Sequence, residues 1–177
     1  MLDFRTLWDD ALTFDAFLAA STKHKGLWEG LYNIARVPAW AASAVPAGAR
    51  RKLLVLAEDW CGDASSTIPV LARLASEVPG LELRIILRDQ NPAVMDRYLT
   101  RGARSIPIVI ALDADFKELG HWGPRPRLLQ AWVAENRPLM PKEQLFPQVR
   151  QWYARDRGET TLREVLETAG LPVVKAA

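Results

Sequence analysis

Residues Lys52–Glu58, KLLVLAE, form a short apolar run that passes directly into Asp59-Trp60-Cys61-Gly62. A run this short and this uniformly apolar is the pattern of a strand buried on both faces, which requires a sheet covered by helices. Beyond it, Ile68, Leu71, Ala72 and Leu74 fall at helical spacing, and Val78-Pro79-Gly80 ends that helix. Leu81–Leu87, LELRIIL, reads as a second strand. Strand, helix and strand in succession imply a crossover and parallel pairing. The one cysteine of the chain, Cys61, therefore stands where a buried strand ends and a helix begins.

On either side the pattern is helical. Phe4, Leu7, Trp8, Ala11, Asp15 and Leu18 predict a single helix of about four turns, broken at Ser21–His24. A second helix runs from about Lys25 to Arg36, and Pro38 and Pro46 bracket the loop after it. PAVMDRYLTRG, residues 92–102, predicts a helix with proline at its start and glycine at its end. IPIVIAL (106–112) and FKELGHW (116–122) predict two further strands, joined by the turn Asp113-Ala114-Asp115 as an antiparallel hairpin. Helices are expected over about 127–136, 142–155 and 161–169. The expectation is an α/β fold: a mixed sheet flanked by helices, forming one domain over residues 1–177. Its core lies at about 52–137, with helical extensions at 1–45 and 138–177.

Composition excludes several functions. With 23 basic and 21 acidic residues, the formal charge of +2 offers no footprint for nucleic acid, and no basic run is interleaved with aromatics. No apolar stretch reaches the roughly 20 residues of a membrane helix. The N-terminal stretch is acidic and amphipathic, unlike a secretory signal, so the expected compartment is the cytoplasm, where a lone thiol stays reduced. Two histidines and one cysteine do not make a zinc set, so no metal is expected. Oligomeric state is left open.

Trp60-Cys61-Gly62 follows a buried strand and opens a helix; Pro69 lies eight residues after Cys61, inside that helix; Ser105-Ile106-Pro107 precedes a strand; and His121-Trp122-Gly123-Pro124 follows the hairpin. In these motifs and their order, the chain from Lys52 to Glu135 resembles the thioredoxin family, which kinks its active-site helix at the position of Pro69 and has a cis-proline loop at that of Pro107. The form E-D-W-C-G-D-A resembles a bacterial, single-cysteine subgroup. The resemblance implies a cis Pro107 that presents the Ile106 backbone beside Cys61. It also marks two departures. The second cysteine of a dithiol site is replaced by Ala64, and the family's buried acid six residues before the first cysteine is replaced by Val55. With no second thiol, no intramolecular resolving step exists.

Cys61 is the candidate nucleophile, because a helix N-terminus favours the thiolate. Asp63 is expected to cap that helix, with Ser65 and Ser66 as competitors; pointing inward, its carboxylate would oppose the thiolate. Trp60, Gly62, Asp63, Ile106, Pro107 and Trp122 are candidate substrate-binding positions. Arg104 and Arg125 are candidates for binding substrate carboxylates or steadying the thiolate. Glu58 and Asp59 read as solvated residues at a strand end, and His121 as a candidate proton donor. No bound cofactor is expected. The leading expectation is thiol–disulfide exchange with glutathione or another small thiol as co-substrate, or with a disulfide-containing protein. The alternative is a non-catalytic module that binds a protein partner in the same groove.

Overall fold

The structure, a computed structural model, describes residues 2–173. Four strands, β1 (Arg51–Ala57), β2 (Leu81–Leu87), β3 (Ile108–Leu112) and β4 (Glu118–Trp122), form one sheet in the order β2-β1-β3-β4. β1 runs parallel to β2 and antiparallel to β3, and β3 runs antiparallel to β4. The mixed sheet follows from connection length: the long helical link from β1 to β2 permits parallel pairing, and the short one from β3 to β4 enforces a hairpin. Leu53–Ala57 of β1 and all of β3 are buried, as uniformly apolar central strands must be.

Helix α1 (Phe4–Asp10) is capped by Asp3, whose carboxylate accepts from the N–H groups of Arg5 and Thr6. It is followed by α2 (Phe14–Ala20), capped by the Thr13 hydroxyl. The single four-turn helix expected here is therefore two helices. The break has a tertiary cause: the Leu12 backbone forms a two-way bridge with Ile85, at 2.9 and 2.8 Å, and covers the free edge of β2. Helix α3 (Lys25–Ile34) sends Trp28 fully into the core, and the short α4 (Ala39–Ser43) follows.

Helix α5 (Gly62–Glu77) packs against β2 and α3 and holds Pro69 in its interior. Past β2 comes α6 (Pro92–Met95), a single turn where residues 92–102 had predicted a longer helix. Arg101 and Gly102 both take positive φ in a tight turn that pairs Thr100 with Ala103, and the helix cannot continue through it. Helices α7 (Arg127–Asn136) and α8 (Lys142–Asp156) pack on each other around Leu129, Val133, Leu145, Val149 and Tyr153, a small cluster apart from the main core. The last helix, α9 (Glu159–Thr168), lies on β4 and α5. No helix among the described residues is long and apolar enough to cross a membrane.

One glycine sets how closely two loops meet. Gly123 has φ +126°, and a Cβ there would lie 2.1 Å from the Pro107 carbonyl oxygen. Gly30, in α3, has open space at the same test. Gly123→Ala is expected to lower unfolding free energy by more than ~2 kcal/mol. Gly30→Ala should raise it by about 0.5–1 kcal/mol. Urea denaturation of both variants against the parent checks the pair.

Candidate functional site

Cys61 occupies the N-cap position of α5. Its Sγ accepts the Ala64 N–H at 3.4 Å and donates to the Ile106 carbonyl at 3.5 Å. The Ile106–Pro107 peptide is cis, as is Gly123–Pro124. The thiol is 8% exposed. Burial pushes it up from 9.0 to about 11; the Asp63 carboxylate adds to the rise, while the Ala64 N–H and the Arg125 guanidinium oppose it. In this arrangement the helix start does not produce a thiolate, because desolvation outweighs it.

Asp63 does not cap α5; Cys61 holds that position. The Asp63 carboxylate turns outward from the helix and takes a bidentate ion pair from Arg125, Nε to Oδ1 at 2.9 Å and Nη2 to Oδ2 at 2.5 Å. The Tyr153 hydroxyl, from α8, donates to Oδ1 at 2.9 Å. Arg125 reaches on to Gln130 Oε1 at 3.0 Å. Asp63 and Arg125 are 14% and 17% exposed, so the pair is shielded from water. Ser65 and Ser66 do not cap either, since both hydroxyls donate back to the Gly62 carbonyl.

Glu58 is not solvated, and Asp59, though partly exposed, is engaged as well. Glu58 is buried and accepts the Asp89 N–H at 2.9 Å. Asp59 accepts the N–H groups of Thr22 and Lys23, each at 2.8 Å, and its carbonyl accepts the Trp28 indole N–H at 2.9 Å. Each acid in the loop thus holds a different distant segment.

Trp60 is half exposed, opens onto the same cavity as Cys61, Gly62, Asp63 and Arg125, and has the Arg88 guanidinium 4.9 Å from its ring centroid. The other candidates separate. Trp122, a candidate substrate-binding position, is a core residue: it is buried, and its indole N–H donates to Glu164 at 2.7 Å. Arg104 is engaged in a bidentate pair with Asp96, at 2.7 and 2.8 Å. His121 sits on β4, edge-on to the Tyr98 ring and 3.9 Å from Glu118, and is not among the thiol's hydrogen-bond partners. Cys61, Gly62, Asp63 and Arg125 open onto a cavity of about 1390 Å³ between α3, α5 and α8. Tyr153 joins them there, although the sequence offered only one signal for it: a tyrosine on the apolar stripe Leu145, Val149, Tyr153, whose hydroxyl must find a partner when buried.

A thioredoxin family model matches residues 11–138, more than two thirds of the chain and well into the N-terminal helices. The chain belongs to the thioredoxin family. Two solved structures share its fold along nearly the whole length. One is a protein of unknown function from Pseudomonas aeruginosa, at 21% identity and TM-score 0.76, covering 96% of this chain and 98% of that one. The other is an HIV epitope-scaffold, at 20% identity and TM-score 0.75, with the same coverage. Among curated proteins none matches. With 96% of the chain covered in each, the shared fold extends beyond the residues that the family model matches.

Removing the Asp63 charge should loosen the thiol's hold on its proton, because that carboxylate raises the thiol and Arg125, once unpaired, favours the anion more strongly. In Asp63→Asn the pH midpoint of Cys61 alkylation by iodoacetamide is expected below that of the parent, measured alongside it. The variant should also lose ~2 kcal/mol or more of stability, measured by urea denaturation, because Arg125 is left largely buried without its partner.

Proposed function

We propose that this chain is a thioredoxin-fold binding module, in which the loop geometry of the family serves a ligand at the N-terminus of α5 and the thiol is a structural group. The observation that carries this reading is the condition of Cys61: buried, held by Ala64 and Ile106, and with its thiol pushed up to about 11. At neutral pH such a thiol is roughly one part in ten thousand thiolate, and only the thiolate attacks a disulfide. Ala64, in the resolving position, removes the second step of dithiol chemistry. The reading goes with a cytoplasmic location, where a lone thiol stays reduced.

Thiol exchange is the second reading, favoured by the position of Cys61 against the Ile106 carbonyl of a cis-proline loop. Its steps balance with a small thiol as co-substrate. The Cys61 thiolate attacks the glutathione sulfur of a protein–glutathione mixed disulfide and releases the protein thiolate; a reduced glutathione then attacks that same glutathione sulfur, frees the Cys61 thiolate and forms oxidised glutathione.

Intact mass after incubation with oxidised glutathione between pH 6 and 10, with Cys61→Ser as the control, separates the two. The binding reading expects no adduct near neutral pH, and a rate that climbs about tenfold per pH unit toward the alkaline end. A fast, single adduct at pH 7 that reduced glutathione reverses would establish exchange and end the binding reading.

A further inference from the structure

We propose that the cavity over α5 takes a single-chain anionic amphiphile, a long-chain carboxylate of fatty-acid type, with its hydrocarbon against α3 and its head group among the arginines of α8. This rests on the binding reading and names its ligand class.

The walls are apolar on both sides. On α3, Leu27, Leu31 and Ile34 recur at i, i+4 and i+7 and form one stripe along the cavity. Leu27 is 47% exposed and Ile34 68%, whereas Trp28 on the same helix is fully buried in the core. Helix α3 thus carries two apolar faces, one packed and one without a covering neighbour among the described residues. Across the cavity stands Phe146 of α8, 44% exposed, and Pro69 and Val70 of α5 line the floor. Isolated exposed apolar residues are ordinary; a set converging from three helices on one cavity is the mark of a ligand site.

Charge gives the head group its sign. Five arginines line the cavity, Arg36, Arg125, Arg150, Arg155 and Arg157, against the three carboxylates of Asp63, Asp156 and Glu159. Each carboxylate already has a partner: Asp63 has Arg125 and Tyr153, Asp156 has Thr160, and Glu159 has Arg163. The side chains of Arg150, Arg155 and Arg157 have no hydrogen bond or ion pair among the described residues, and Arg36 bonds only backbone carbonyls. A guanidinium without a partner beside an apolar cavity matches a carboxylate attached to a hydrocarbon.

Shape favours a thin ligand over a partner helix. Helix α8 and the turn after it are joined to α5 at two places: the Tyr153–Asp63 hydrogen bond, and Gly158, where a Cβ would come within 2.7 Å of Val70. These ties hold α8 against α5 at the wall of the cavity. A helix about 10–12 Å across laid between α5 and α8 would have to break them, whereas a single hydrocarbon chain needs no such opening.

The test is titration calorimetry of the full chain with dodecanoate below its micelle concentration, beside dodecyltrimethylammonium, which has the same tail and the opposite charge. One saturable site for dodecanoate is expected, with the cation at least tenfold weaker. Arg155→Glu should weaken dodecanoate at least fivefold and leave the cation unweakened. Leu31→Asp should weaken both tails, and its far-ultraviolet circular dichroism and thermal midpoint establish that it is folded. No saturable heat with dodecanoate, equal binding of the two tails, or binding confined to an acidic amphipathic peptide would each overturn the proposal. These results are independent of the glutathione experiment. A Cys61 that stays unmodified while dodecanoate fails removes the ligand class alone; a Cys61 that exchanges rapidly removes the binding reading itself.

Discussion

The Asp63 carboxylate joins the start of α5 to Arg125 of the β4–α7 loop and to Tyr153 of α8, three segments far apart in sequence. Its two oxygens accept all three donated hydrogen bonds, and the cluster is largely screened from water. A shielded pair of this kind is held by geometry more than by its net energy: desolvation offsets much of the attraction, while loss of one partner strands the other. The position of α8 over α5, and with it the shape of the cavity between them, depends on this contact. The hydrophobic cluster shared by α7 and α8 stands apart from the main core and does not by itself fix where that hairpin lies.

The same cluster shows which electrostatic effect prevails at the thiol. A helix N-terminus favours an anion by ~0.3–1 kcal/mol. The rise of Cys61 from 9.0 to about 11 corresponds to roughly 3 kcal/mol in favour of the neutral thiol. Desolvation is several times larger than the contribution of the helix, and Asp63 acts in the same direction as desolvation. The usual argument from a cysteine at a helix start assumes water or a cation around the sulfur. Here the cation that favours the thiolate, Arg125, is paired with the Asp63 carboxylate, so little of its field is left for the sulfur.

Much of the architecture was legible in the residues. The uniformly apolar β1, the helix that follows it and the parallel β2 are local patterns of period and polarity, and they survive folding because central strands are dictated by burial. The turn at Asp113–Asp115 fixed the hairpin equally well. What local pattern could not carry were contacts made from outside. The break between α1 and α2 comes from Leu12 bridging to β2, and the early end of α6 from a turn at Arg101-Gly102. Among site residues, Trp122 went to Glu164 and Arg104 to Asp96. Tyr153 entered from a helix more than eighty residues away, a pairing that one sequence holds no record of.

Glu58 and Asp59 lead to a different kind of conclusion. Each clasps backbone N–H groups of another segment: Glu58 that of Asp89, and Asp59 those that open the link between α2 and α3. Backbone donors are indifferent to the side chains around them, so such clasps tolerate wide drift in the segments they hold while demanding an acid at each of these two positions. The letters E-D-W-C-G-D then describe a fastening as much as a reactive loop. In this chain the letters mark a joint, and whether a reaction goes with it rests on the residue at position 64 and the setting of the sulfur.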